Sequence, residues 1–180
     1  MNSEWGAVHS LFSLRCSPSL LRGPSVPRLH WEDFIVGQVA EYGPRLVTAE
    51  EIKAFAAEFD PQPMHLDEEA ARATMMGGLC ASGWHSCAIM MRIIADGFIL
   101  NSSSMGGPGC EEIKWLAPVR PGDRLSVRAN VLDVRASKSR REMGIVKVRF
   151  DMFNAVGVEV MTLTTNLMFG RRAAGPEGVD

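Results

Sequence analysis

The second half of the chain alternates apolar and polar residues over long runs. Leu125, Val127, Ala129 and Val131 alternate with Arg124, Ser126, Arg128 and Asn130. Val146, Val148, Phe150 and Met152 alternate with Lys147, Arg149 and Asp151. Val158 to Phe169 follows less cleanly, through Val160, Leu163, Thr165 and Leu167. A period of two means strands with one buried face. Such a face needs a cover, and one segment can supply it. From Trp84 to Ala95 only His85, Ser86 and Arg92 are clearly polar. A helix apolar nearly all round is a buried helix. Ser82 is a suitable N-cap for it.

The remaining elements fit round this pair. Thr48-Ala49-Glu50-Glu51 is a capping box, with Val47 and Ile52 placed as a hydrophobic staple. Ile52, Phe55, Ala56 and Phe59 then mark one apolar helix face. Pro61 ends that helix, because a residue before proline, here Asp60, is pushed out of the α region. A short helix is expected over Asp67–Ala73, broken by Gly77-Gly78. Strands are expected over Gln38–Leu46 and Glu112–Val119, the latter closed by Arg120-Pro121-Gly122-Asp123. Asn154–Gly157 reads as a hairpin turn. The order is strand, helices, then antiparallel strands: an α+β fold with one long helix against a curved sheet.

There is no internal repeat, and 180 residues with 46% hydrophobic and 22% charged content suit a single core. We expect a domain over residues 29–172, with flexible tails at 1–28 and 173–180. The first tail, with Arg15, Arg22, Arg28 and a single acid, Glu4, reads as a disordered tail, an upstream start or a mitochondrial presequence. A net charge of -2 argues against a nucleic-acid-binding protein. No apolar run is long enough for a membrane span. Cys16, Cys80, Cys87 and Cys110 form no C-x-x-C pair and are expected as free thiols in a reducing compartment. The expected setting is cytoplasmic, or the mitochondrial matrix if the first segment is a presequence.

The residues densest in chemistry are Phe59-Asp60-Pro61-Gln62-Pro63-Met64-His65-Leu66-Asp67. Two prolines stiffen the segment that carries a carboxylate and an imidazole. Asp60 and His65 can together orient and deprotonate water. They can equally be a helix stop, with Asp60 and Asp67 as caps and His65 partly exposed. Asp60, His65 and Asp67 as metal ligands lack a further partner set of the usual kind, and no metal is expected. At Ala81-Ser82-Gly83-Trp84-His85 a helix N-terminus presents unpaired N–H groups. The Gly83 N–H can serve a developing oxyanion, or Ser82 can simply cap the helix. His85 reads as a hydrogen-bonded core or rim residue. Arg135 to Arg141 is a basic run that can meet phosphates or form a solvated hairpin loop. Met75, Met76, Met90 and Met91 suit an acyl chain or ordinary core filling.

Taken in order, these motifs resemble the MaoC-like dehydratases and the related (R)-specific enoyl-CoA hydratases. The resemblance covers about Leu29 to Arg172. It rests on Asp60-Pro-Gln-Pro-Met-His65-Leu-Asp67, on Gly83 at the central helix, and on Trp115-Leu-Ala-Pro118-Val-Arg-Pro121-Gly122-Asp123. It implies a single hotdog fold, in which a curved antiparallel sheet wraps a long helix, paired as a homodimer. It implies that Asp60 and His65 activate water for addition to a 2-enoyl thioester, or for the reverse elimination, while Gly83 polarises the carbonyl. It implies an acyl-CoA or other acyl-thioester substrate and no cofactor. Ser82, Trp84 and Met91 would line the substrate pocket, and Lys138, Arg140 and Arg141 would meet the CoA phosphates. The sequence departs from the hydratase pattern at Phe59, Gln62, Ser82 and Met91. Those departures leave open a non-catalytic acyl-thioester-binding subunit and a hotdog thioesterase.

Overall fold

The computed structural model describes residues 27–172, so the expectations for residues 1–26 and 173–180 lie outside the described residues. Five strands form one antiparallel sheet: β1 (Val39–Leu46), β2 (Cys110–Trp115), β3 (Arg124–Ala136), β4 (Met143–Phe153) and β5 (Glu159–Gly170). Their order is β1-β3-β4-β5-β2, which leaves β1 and β2 at the edges. The alternation in sequence becomes alternation in burial. Leu125, Val127, Ala129 and Val131 of β3 face inward, as do Val146, Val148, Phe150 and Met152 of β4. Pairs such as Val131 with Val148 and Phe150 with Leu163 fix the register. A one-residue slip would turn the whole apolar set outward. Asn154 to Gly157 closes the β4–β5 hairpin through Gly157 N–H to Asn154 O, 3.0 Å.

Four α-helices lie between β1 and β2: α1 (Ala49–Phe59), α2 (Pro63–Leu66), α3 (Glu68–Arg72) and α4 (Gly83–Gly97). Ile89, Met90, Ile93 and Ile94 of α4 join the inward residues of the sheet in one core cluster. At the start of α1, Thr48 accepts from Glu51 N–H and Glu51 accepts from Thr48 N–H, both at 3.2 Å. Val47 and Ile52 are fully buried beneath this box. Arg45 grips the Glu51 carboxylate with both guanidinium nitrogens, at 3.1 and 2.8 Å.

Several expectations need correction. The strand expected over Glu112–Val119 is Cys110–Trp115. Leu116 and Ala117 both direct their N–H groups to Val160 O, and Pro118 has no N–H with which to continue a ladder. Helix α2 was not anticipated, although Pro63 at its first turn is a favoured start. Phe59 is 63% exposed, because only Ile52 and Ala56 of α1 reach full burial and Phe59 stacks outward on Phe55. Helix α4 is buried on one side only. Trp84, Ala88 and Met91 face out, since a single sheet covers a single face.

Candidate active site

Helix α1 is capped at its C-terminus by Asp60, and α2 begins three residues beyond it, at Pro63. The tight connection turns His65 back toward Asp60. His65 Nε2 lies 3.6 Å from Asp60 Oδ2. The imidazole is buried, and its Nδ1 is 2.8 Å from the Cys80 carbonyl. A carbonyl can only accept, so Nδ1 donates to it, and this bond turns Nε2 toward Asp60. His65 is therefore not the partly exposed residue of a simple helix stop.

Asp60 accepts two hydrogen bonds, from Ser82 Oγ at 2.6 Å and from Gln62 Nε2 at 2.7 Å. The Ser82 hydroxyl, then the Gln62 amide, hold its carboxyl below the usual carboxylate range, with a smaller effect from His65; partial burial opposes them. Ser82 is fully buried and has a second task, accepting from Trp84 N–H at 3.2 Å as the cap of α4. One side chain thus links the start of α4 to the carboxylate.

Gly83 follows, and its N–H has no partner among the described residues. Its carbonyl accepts from Trp115 Nε1 at 2.9 Å. A Cβ at residue 83 would lie 2.8 Å from the Trp115 ring, so the indole can approach only glycine. Trp84 meets Trp115 edge to face, 5.7 Å between ring centres.

Asp60, His65, Ser82, Gly83 and Trp84 all border one cavity of about 720 Å³, together with Met64, Met75, Met76 and the Leu116–Arg120 stretch. A larger groove of about 950 Å³ between β1 and α4 lacks comparable groups. Its Arg92 and Asp96 pair with one another at 2.7 Å. Met91 lies apart, in a small apolar cavity of about 200 Å³ with Cys87, Met90 and Cys110. Lys138, Arg140 and Arg141 occupy the β3–β4 hairpin, at the far end of β3 from the Val119–Asp123 approach to the cavity. Within one chain they do not border it.

Asp67 turns its carboxylate to Ala70 N–H, 2.8 Å, as the cap of α3. His85 is buried, stacks on Phe55 at 4.6 Å and leaves Nδ1 without a partner. Burial pushes its pKa down, and the expected hydrogen bond to the core is absent at Nδ1. Cys80, Cys87 and Cys110 are free thiols, and burial raises the first two above the ordinary thiol range. Gln62, Trp115 and the Cys80 carbonyl had no assigned role from sequence. Only Pro63 at a helix start hinted at the local turn that brings them into play.

The fold and the ordered motifs define a hotdog protein of the MaoC-like class. The family described as MaoC like domain matches residues 34–151, and the chain belongs to that family. It is similar to a MaoC-like dehydratase from Rhodospirillum rubrum, with 44% identity and a TM-score of 0.76 over 81% of this chain and 99% of that one. It is similar to the R-hydratase PhaJ1 from Pseudomonas aeruginosa, with 25% identity and a TM-score of 0.63 over 84% and 96% of the two chains. It is also 35% identical over 130 residues to the uncharacterized protein YdeM of Bacillus subtilis, covering 72% of this chain and 90% of the relative. Among the described residues no helix is long and apolar enough to cross a membrane.

Proposed function

We propose that the protein is a hydratase/dehydratase of enoyl thioesters, with acyl-CoA as the substrate form and no cofactor. The observation that carries this reading is convergence. A carboxylate, an imidazole whose Nε2 faces that carboxylate and an unpaired helix N–H border the same cavity.

In this reading the thioester oxygen lies at the Gly83 N–H. His65 Nε2 takes one proton from water, while Asp60 Oδ2 accepts the other O–H and steadies the imidazolium. The water oxygen bonds to C3, and the C2=C3 electron pair moves onto the thioester oxygen as an enolate. His65 then returns its proton to C2, and the enolate collapses to the carbonyl. One water is added and both side chains are restored. Dehydration is the same path reversed. Met64, Met75 and Met76 give the cavity an adaptable apolar wall for the acyl chain.

The protein works as a homodimer in this proposal. The outward side of α4, with Trp84 and Met91, and the unpaired edge of β2 would be covered by a second copy. Lys138, Arg140 and Arg141 would then serve CoA phosphates bound at the other copy's cavity, because β3 separates them from their own. A non-catalytic acyl-thioester-binding subunit is the second reading. It is favoured by the paired hydrogen bonds on Asp60, which make that carboxylate a weaker base.

A panel of trans-2-enoyl-CoA thioesters decides between them, followed as loss of enoyl-thioester absorbance. Hydration that is abolished by Asp60→Asn and by His65→Ala is the expected result. Full activity in both variants would falsify the mechanism. Acyl-CoA binding without turnover would instead establish the second reading. Free thiol released without loss of the double bond would identify a thioesterase.

A further inference from the structure

The segment from Ala73 to Ala81 has no helix or strand, yet it carries the Cys80 carbonyl and leads into Ser82 and Gly83. A segment of this kind needs external support to hold a catalytic geometry. Arg120 provides it from the other side of the cavity wall. Its Nη1 donates to the carbonyls of Gly78, at 2.5 Å, and Leu79, at 3.2 Å. Its Nη2 donates to the carbonyl of Met76. No carboxylate forms an ion pair with Arg120 among the described residues. The guanidinium is satisfied by main-chain oxygens instead.

Arg120 is itself held in place. Its N–H donates to Asp123 Oδ2 at 2.7 Å, and the carbonyl of the preceding Val119 accepts from Ala81 N–H at 2.9 Å. The two segments are therefore laced together on either side of Cys80. A planar fork with five donors can hold three carbonyls at once. An ammonium is a point charge and cannot reproduce that spread.

We propose that Arg120 is a positioning residue for His65. By fixing the carbonyls of Met76, Gly78 and Leu79 it sets the direction of the Cys80 carbonyl. That carbonyl keeps a proton on His65 Nδ1 and turns Nε2 toward Asp60. The proposal rests on the acid–base role of His65 for its catalytic consequence, but its structural part stands without it.

The test uses the full chain with 15N-labelled histidine, comparing wild type with Arg120→Ala and Arg120→Lys, and with His65→Ala to assign the His65 signals. In the wild type the neutral ring should show the Nδ1-protonated tautomer. In Arg120→Ala it should shift toward a mixture, with Arg120→Lys between the two. For enoyl-CoA hydration, kcat should fall about tenfold or more in Arg120→Ala while KM changes less than about threefold, since small misplacements of catalytic groups act on the chemical step. Should Arg120→Ala not fold, Arg120→Lys carries both measurements. An unchanged tautomer in a folded variant overturns the proposal, as does a variant that changes KM alone. A tautomer shift in a protein without hydratase activity would leave this inference standing and remove the proposed reaction.

Discussion

Ser82 donates to Asp60 and accepts from Trp84 N–H with the same oxygen. Ser82→Ala should therefore have two separable effects. Loss of the cap should lower stability by about 1 kcal/mol, read as a lower denaturant midpoint with an unchanged slope. Loss of the principal hydrogen bond on Asp60 should raise the carboxyl pKa from its depressed position back toward the ordinary carboxylate range. A depressed carboxylate contributes stability above its unfolded pKa and loses it as pH falls through the folded one. The stability lost as pH falls through the folded pKa of Asp60 should therefore be smaller in Ser82→Ala than in the wild type, read by urea unfolding at a series of acidic pH values. An equal loss in both proteins would show that Ser82 does not set the Asp60 titration. At the next residue, Gly83→Ala would push a methyl into the Trp115 ring and disturb its bond to the Gly83 carbonyl. The expected cost is about 1–3 kcal/mol of stability from overpacking. Hydration should fall by roughly 10²-fold, because the N–H that alanine retains would be displaced from the thioester oxygen and small misplacements of catalytic groups act strongly on rate. Thermal unfolding and initial rates measure the two effects.

Helix α1 has an ordered start, and its far end delivers Asp60. Its capping box was legible because the pattern is local: a threonine, a glutamate three residues on, and apolar residues on either side. The further grip of Arg45 on Glu51 was not legible, because β1 must first dock beside α1. Thr48→Ala should cost about 1 kcal/mol in urea unfolding, within the usual range for lost caps. It should leave KM for an enoyl-CoA unchanged, because the box lies at the opposite end of α1 from Asp60. A large change in KM would mean that α1 moves as a unit with the site. Strand β2 shows the opposite case. Its sequence continues apolar through Leu116 and Ala117, and only the tertiary hydrogen bonds to Val160 and the missing N–H of Pro118 end it early.

At the scale of the molecule, the exposed side of α4 joins the mouth of the cavity. Trp84 and Met91 on α4 are 61% and 48% exposed, and Trp115, packed against Trp84, and Leu116 are 48% and 50% exposed. An exposed apolar patch of this kind marks an interaction surface. Light scattering should give the mass of two chains. Met91→Asp should shift the population toward monomer and reduce hydration with it, because Met91 does not border its own cavity. A monomeric wild type with full activity would remove the homodimer from the proposal. Neutralising Lys138, Arg140 and Arg141 together should raise KM for CoA thioesters without changing the KM for a short pantetheine thioester. An unchanged KM for both would assign the run to a solvated hairpin.

The sequence by itself determined the α+β class, the long strands with their inward faces, the box that starts α1, the caps of α3 and α4, and the hairpin turn at Asn154. These follow from periodicity and capping, which act within a few residues and need no distant partner. The Asp60–His65 spacing was also readable, but its convergence was not. The tertiary structure decided that Asp60 meets Ser82, 22 residues away, and that His65 meets the Cys80 carbonyl, 15 residues away. It decided that Arg120 reaches Met76 across 44 residues. It also separated Met91 and the basic hairpin from the cavity that one chain encloses. The physical reason is the same in each case. A hydrogen bond over such separations depends on how helices and sheet pack, and that packing is a property of the whole core rather than of any local stretch.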